Sequence, residues 1–375
     1  MQPLYINGKF TAQRTTGVQR SAANLILAID RALKDSALGS AAWTLLCPPG
    51  ATLAGLRHIR VATVGSPAGN LHQWEQLHLP RAARDGLLLS FAGSCPLLKR
   101  RQVATFHDAA VFDHPEAYTR PFVAWYRFLF KQVARRSRLV FTVSEFSRQR
   151  LALLLRVPPP RIAVYRSGGG HMDAVVGDDG VLDRLGLRGG IYLLAVASAN
   201  PTKNLAALVQ AFAALPREPG IRLVIAGGSN DAVFSRSARP RDEDDRIVRA
   251  GAVSDSELKS LYTHACAFVF PSLYEGFGLP PLEAMACGCP VLASEAASIP
   301  EVCGDAALYF SPRSVCAMTQ AMQRILEDAP LRDELRARGQ ERVQAFTWDH
   351  GAADVLSHLA RMVLHADGPL EAPGH

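Results

Sequence analysis

Two glutamates, Glu275 and Glu283, stand eight positions apart in the run YEGFGLPPLEAMACGCP, Tyr274 to Pro290. A glycine-punctuated turn, Gly276-Phe277-Gly278, follows the first. The second lies in Leu282–Cys287, a stretch of good helix formers. A strand, a Gly-rich turn and a helix N-terminus together make an anion site, because free backbone N–H groups and the positive end of the helix dipole face the turn. A carboxylate at each end adds acceptors for sugar hydroxyls. That combination suits a nucleotide-sugar diphosphate better than a bare nucleotide. Lys203, between Pro201-Thr202 and Asn204-Leu205, falls at a predicted helix start. A cation there is unfavourable unless it serves an anion held at the same place. His107 and Asp108 follow a predicted strand and would point away from its carboxyl end.

The elements that must position these residues form two series of alternating strands and helices. Pro3–Ile6, Trp43–Cys47, Gly86–Ser90, Val103–Phe106 and Leu139–Val143 read as short buried strands. Helical patterns over Val18–Lys34, Pro121–Arg136 and Glu145–Leu155 lie between them. The second series has strands at Ile191–Val196, Arg222–Ala226, Ala267–Pro271 and Val291–Ala293, with helices at Leu205–Leu215, Asp255–Ala265 and Pro281–Cys287. Such alternation predicts parallel sheets wrapped by helices. Two series predict two doubly wound α/β domains, residues 1–180 and 181–346, with the Gly-rich stretch Gly168–Gly190 at the boundary. Open α/β sheets bind ligands beyond the carboxyl ends of their strands, so two facing domains predict an interdomain cleft. Residues 347–375 read as a C-terminal helix that returns to the N-terminal domain, followed by a Gly/Pro-rich tail. Arg239–Asp245 reads as a solvated loop.

Composition narrows the function classes. The 375 residues are 48% hydrophobic and 20% charged, normal for a globular protein. No apolar stretch approaches the roughly 20 residues of a membrane span, and the N-terminus lacks a secretory pattern. A cytoplasmic location is therefore expected. Seven cysteines without a C-x-x-C point away from a disulfide framework or zinc site, and Cys287 and Cys289, which flank Gly288, read as ordinary buried thiols. The formal charge of +7 is unevenly spread: residues 1–185 hold 24 Lys/Arg against 12 Asp/Glu, and the rest hold 17 against 22. A basic half implies an anionic partner. Arg127, Lys131, Arg135 and Arg136 interleave with Phe122, Trp125, Tyr126, Phe128 and Phe130. That pattern suits either an anionic membrane surface or a helix with a core face and a solvated face. No nucleic-acid recognition module is evident.

The run YEGFGLPPLEAMACGCPVLAS resembles the donor-site signature of the family 4 retaining glycosyltransferases. TTGVQRSAANL, TFHDAAVFDHPE, FTVSEFSRQRL, VPPPRIAVY, ANPTKNLAALVQAF, LVIAGG, GAVSDSELKSLYTHACAFVFPS and SIPEVCGDAALYF are similar to the family's other segments, in order. The resemblance implies the GT-B type of fold, two facing Rossmann-like domains, and a transfer with retained anomeric configuration. It implies that Glu275 meets the transferred sugar and that Gly276, Phe277, Gly278 and Leu279 meet sugar and diphosphate through their backbone. Glu283 would accept from the ribose hydroxyls, and Lys203, beside Asn204, would clamp the diphosphate. Ser198 and Gly17 are counted with the donor side, and backbone near Val253 with the base. His107 would lie near the reaction centre. Asp108, Arg20, Ser144 and Arg148 are assigned to the acceptor side, although Arg20 reads equally as a solvent-facing helix residue. No covalent nucleophile and no metal are expected. The leaving phosphate itself would take the acceptor's proton. The overall pattern is similar to bacterial mannosyltransferases that build O-antigen or exopolysaccharide from GDP-mannose. UDP- or dTDP-sugars stay open as donors. A nucleotide-sugar epimerase and a non-catalytic binder of the same architecture stay open as rival classes.

The acceptor implied is a saccharide or polyprenyl-diphosphate-linked oligosaccharide, met peripherally at the cytoplasmic face of the inner membrane. Two departures from the family pattern stand out. Thr202 precedes the lysine where many relatives carry an arginine, and Ser167-Gly168-Gly169-Gly170-His171-Met172-Asp173 replaces an Asn-Gly-Val-Asp turn. No role is carried over to that second segment.

Overall fold

Short runs of apolar and branched residues become strands when both faces are covered, and helices follow where the apolar period lengthens. The computed structural model describes residues 2–66, 70–198, 200–217, 220–228 and 244–364. Among them are two all-parallel sheets. The first contains β1 (Leu4–Asn7), β2 (Trp43–Cys47), β3 (Arg60–Thr63), β4 (Leu87–Ser90), β5 (Gln102–Thr105), β6 (Val140–Thr142) and β7 (Ile162–Val164), in the order β3-β2-β1-β4-β5-β6-β7. The second contains β8 (Ile191–Val196), β9 (Ile221–Ala226), β10 (Ile247–Gly251), β11 (Ala267–Phe270), β12 (Val291–Ser294) and β13 (Ala307–Phe310), in the order β10-β9-β8-β11-β12-β13.

The expected α/β alternation is present. Strands β3, β7, β10 and β13 were not expected from the sequence. All four lie at a sheet edge; in β3 and β10 exposed positions interrupt the apolar run, and β7 and β13 span only three and four residues. The helices that bear on function are α1 (Gly17–Ala32), α2 (Arg120–Arg136), α3 (Glu145–Leu155), α4 (Leu205–Ala213), α5 (Asp255–His264), α6 (Leu279–Ala286) and α7 (Trp348–Leu364).

The chain divides into two compact units. The first takes the residues up to Ala109, Ala124–Gly168 and the chain from Thr347 on. The second takes Ala110–Val123 and Gly169–Phe346. The switch thus falls at Gly168/Gly169, ahead of the expected 180/181, and residues 110–123 go with the second unit. In the first unit α7 packs on α1, and Arg166 pairs with Asp354 of α7 at 2.8 Å. One core cluster of the second unit joins Leu193, Leu223, Val269 and Leu292 on one face of its sheet to Leu208, Phe212 and Met322 of the helices that cover it.

Of the segment Arg239–Asp245, residues 239–243 lie outside the described residues, as does the Gly/Pro-rich tail. Asp244 is not solvated: it is buried and pairs with Arg246 at 2.8 Å. All seven cysteines are free. Cys47, Cys95, Cys289 and Cys303 are buried, Cys266 and Cys287 are partly buried, and Cys316 is exposed. Burial pushes the Cys287 thiol up to about 11 and Cys289 higher still, so neither is primed for redox chemistry. Among the described residues no helix is long and apolar enough to cross a membrane, and no cluster of three or more His, Cys, Asp or Glu could hold a metal ion.

Beyond the carboxyl end of β1 sits an ion pair that the sequence did not announce. Lys9 Nζ donates to Glu75 Oε2 at 2.8 Å, with both side chains almost wholly buried. Asn7 Nδ2 and Ser94 Oγ donate to Glu75 Oε1 at 3.0 and 2.7 Å. Removing one partner would strand the other charge in the core. Lys9→Met is expected to destabilise the protein by about 3–5 kcal/mol, and Lys9→Met with Glu75→Leu to regain most of it, read as thermal melting midpoints.

Candidate functional site

Strand order reverses in the second sheet between β8 and β11, the place where loops from adjacent strands diverge to opposite faces and leave a crevice. The loop after β8 carries Lys203 and the loop after β11 carries Glu275. Leu273 N–H donates to Thr202 O at 2.7 Å and ties the two loops together. Lys203 Nζ then donates to Glu275 Oε1 at 2.6 Å, with side chains 20% and 14% exposed. The ammonium also lies 5.5 Å from the Phe270 ring centroid. A lysine and a glutamate separated by 72 residues are therefore one half-buried charge pair.

Asn204 shapes this arrangement by its backbone. It adopts a left-handed conformation, φ 57°, and ends the short helical turn Pro201–Lys203. Its amide Nδ2 donates to Pro271 O and Pro312 O at 3.2 and 2.8 Å. The amide thus braces three loops against one another.

The Gly-rich turn enters α6 through Gly278, whose φ of +119° is a conformation that L side chains rarely adopt. Pro280 and Pro281 occupy the first turn of the helix and carry no N–H. The backbone donors at this helix end therefore come from Gly276, Phe277, Gly278 and Leu279, while the dipole contribution persists. Ser298, fully buried, holds the turn from behind: its Oγ lies 2.9 Å from the carbonyl oxygens of both Glu275 and Phe277. The Phe277 ring packs edge-on against Phe346. Tyr274 donates to Asp113 Oδ2 at 3.0 Å, which is how residues 110–123 join this unit.

Glu283 lies one helix turn further along α6 and is nearly buried. Its Oε1 is 3.1 Å from His171 Nε2, and Tyr262 OH donates to its Oε2 at 3.3 Å. Burial, and then the Glu283 charge, raise the Tyr262 phenol well above its ordinary range, so it remains a donor. Ser198 follows β8 and is half-buried. Val253 follows β10 at the sheet edge, one residue before Ser254, which caps α5 by accepting from Glu257 N–H.

The expected site residues of the first unit also lie beyond strand ends. His107 and Asp108 follow β5, Gly17 opens α1 after β1, and Ser144 follows β6. His107 Nε2 is 2.9 Å from Phe91 O. A carbonyl only accepts, so this nitrogen carries the proton. Burial lowers the imidazole to about 4 against the smaller opposing effect of the Phe91 bond, leaving it neutral near pH 7. Ser144, fully buried, caps α3 by accepting from Ser147 N–H, and Ser147 Oγ donates to His107 O. Arg148 is held by Glu145 through two contacts of 2.7 Å. Gly17 is exposed, and a Cβ added there meets nothing within 4 Å. Arg20 is half-buried in the first turns of α1. A separate cavity of about 560 Å³ is lined by Asn70, His72, Gln73, Gln76, Leu77 and Trp125.

The geometry thus gathers Lys203, Asn204 and residues 275–279 into one cluster and surrounds Glu283 with partners of its own. Ser298, His171 and Tyr262 were missed by sequence reasoning. Ser298 and Tyr262 carry no sequence signal. His171 was quoted as a departure and assigned nothing.

Both halves of the chain resemble known proteins. Residues 185–342 match the family described as glycosyl transferases group 1, and residues 76–168 match glycosyltransferase family 4. The O-antigen chain mannosyltransferase B of Escherichia coli is 34% identical over 265 residues, covering 68% of this chain and 69% of that protein. The chain belongs to the family 4 glycosyltransferases. Among solved structures, this glycosyltransferase shares its fold with the sucrose-phosphate synthase of Thermosynechococcus elongatus. The TM-score is 0.69 at 21% identity, over 98% of this chain and 100% of that one. It likewise shares it with Anabaena HepE in complex with UDP and glucose. Here the TM-score is 0.68 at 15% identity, over 97% of this chain and 100% of that one.

The neutral state of His107 has a measurable consequence. Its folded value of about 4 lies below the ordinary 6.5. Its contribution to stability is therefore complete above pH 6.5 and is lost as pH falls through the folded value. Between pH 7.5 and 5 the wild type is expected to lose about 2 kcal/mol more stability than His107→Gln, measured by denaturant titration at the two pH values.

Proposed function

We propose that the enzyme transfers a sugar from a nucleotide-diphosphate donor to a saccharide or lipid-linked saccharide with retention of anomeric configuration. The donor we favour is GDP-mannose. The observation that carries this reading is the Lys203–Glu275 pair beside the Gly-rich turn. An ammonium and a row of backbone N–H groups suit a departing diphosphate. A carboxylate 2.6 Å from that ammonium suits the positive charge that develops at the anomeric carbon. The bond from Leu273 N–H to Thr202 O and the braces from the Asn204 amide hold both groups in place, which is what electrostatic catalysis requires.

In this mechanism Lys203 stabilises the leaving phosphate, Glu275 the transferred sugar and Glu283 the ribose. A leaving-phosphate oxygen takes the acceptor's proton, and no metal takes part. His107, held to Phe91 O by its Nε2–H and neutral, serves as a shape and polarity element and not as a proton shuttle. The choice of mannose rests on the mannosyltransferase name of the Escherichia coli relative. UDP is the nucleotide in the HepE complex and is the rival donor base.

The acceptor reading stays with the first unit. Its cavity of about 560 Å³ offers amides and an indole, groups that suit a sugar ring. On α2, Val123, Leu129 and Phe130 are buried, whereas Trp125 and Phe128 are 37% and 47% exposed beside exposed Lys131, Arg135 and Arg136. Exposed aromatics among cations suit peripheral contact with an anionic membrane at its cytoplasmic face, where a polyprenyl-diphosphate acceptor would reside.

Lys203→Ala and Glu275→Ala are each expected to lower transfer at least about tenfold, since one lost donor to a developing charge is worth about 2.7–4 kcal/mol. Unchanged rates in both, with melting temperatures intact, would remove the site. A thermal-shift series with GDP, UDP, ADP and dTDP tests the base: the true nucleotide at a hundred times its dissociation constant should add about 2.7 kcal/mol. For the membrane contact, flotation with phosphatidylglycerol vesicles should recover the wild type and lose Trp125→Ala/Phe128→Ala. Equal recovery of both, or of neither, counts against it.

A further inference from the structure

Glu283 is a carboxylate held almost out of water, and such a group persists only where donors meet its oxygens. The two donors come from different directions. Tyr262 belongs to α5 and is itself fully buried. His171 belongs to the Gly-rich segment that departs from the family pattern, and its side chain is 9% exposed. That segment reaches α6 because of Gly169: a Cβ there would lie 2.7 Å from Leu282 Cβ and 3.1 Å from Leu282 O. Close backbone approach at Gly169 places His171, two residues on, against the residue that follows Leu282. Gly169 thus serves a packing purpose that composition alone does not show.

We propose that His171 is a positioning residue for nucleotide recognition: by donating from Nε2 to Glu283 Oε1, it fixes the carboxylate in the orientation that receives the ribose hydroxyls. The inference rests on the reading of Glu283 as the ribose acceptor and adds to it the residue that aims it. One donor on each oxygen sets the plane of the carboxylate, and each oxygen has two lone pairs, so such donation does not by itself exhaust it. Without His171 the carboxylate keeps its anchor on Tyr262 but can rotate about it. The loss is therefore felt by a ligand with ribose hydroxyls and not by one without them.

Calorimetric titration of the whole protein with GDP and 2′,3′-dideoxy-GDP tests this. The same pair is run in the UDP series. In the wild type the ribonucleotide should bind about tenfold tighter or more than its dideoxy analogue, the worth of hydrogen bonds to a charged group. In His171→Ala that ratio should collapse to within about threefold, with the dideoxy affinity unchanged within about twofold. His171→Gln, which restores an N–H at a similar reach, should recover most of the ratio. His171→Phe keeps the ring volume without a donor and should behave as His171→Ala, which covers failure of the alanine variant to fold. An unchanged ratio in His171→Ala and His171→Phe overturns the proposal, and so does an equal loss for both nucleotides. If only the UDP series binds, the base assignment falls and the ratio in that series decides the proposal. If the wild type binds neither series, the donor site and the role of His171 fall together.

Discussion

Parallel pairing of β8 with both β9 and β11 is the constraint on which the candidate site depends. Parallel strands put all their carboxyl ends on one edge, and reversal of strand order there parts the loops. Lys203 and Glu275 leave adjacent strands at that edge and meet as an ion pair. The bonds around them serve the same end. Leu273 N–H to Thr202 O joins the loops, the Asn204 amide braces them, and Ser298 supports the turn from beneath. Each donor is used on a backbone carbonyl that would otherwise be stranded in a tight turn. The result is a charged pair held in place by neutral bonds, so that binding an anion need not reorganise it.

The two carboxylates that look alike in sequence have unlike surroundings. Glu275 sits against a lysine and remains within reach of solvent. Glu283 sits among His171 and Tyr262, nearly sealed. A cation beside a carboxylate suits a place where charge moves during a reaction. Hydrogen-bond donors closing around a buried carboxylate suit fixed recognition, because the group's direction matters more than its field. This contrast is the physical basis for giving the two glutamates different tasks.

The first unit shows the same division between scaffold and surface. The Lys9–Glu75 network and the Ser144–Ser147–His107 chain fasten the strand ends from within. On α2, period 3.6 sends Leu129 and Phe130 inward and leaves Trp125 and Phe128 outside. A list of aromatics and cations could not make that distinction, since it depends on which side of the helix the sheet covers.

Much of this was legible in the chain. Central strands such as Trp43–Cys47 and Ile191–Val196 announce themselves because they are mostly buried and mostly apolar. The turn at Gly276–Gly278 is legible because its residue types are demanded by local backbone geometry. Edge strands were not: β3 and β10 carry exposed positions that break the pattern, and β7 and β13 are apolar but only three and four residues long. The pairing of Lys203 with Glu275, the support from Ser298 and the hold of His171 and Tyr262 on Glu283 were not legible either. The sequence by itself determined the two-sheet α/β class, the order of its motifs and the residues that could carry charge or bind sugar, since these follow from local period, turn chemistry and residue type. Only the tertiary structure decided which of those residues touch. Contacts between residues 72 or 112 positions apart depend on strand order and close backbone approach, and neither is written in any local stretch of chain.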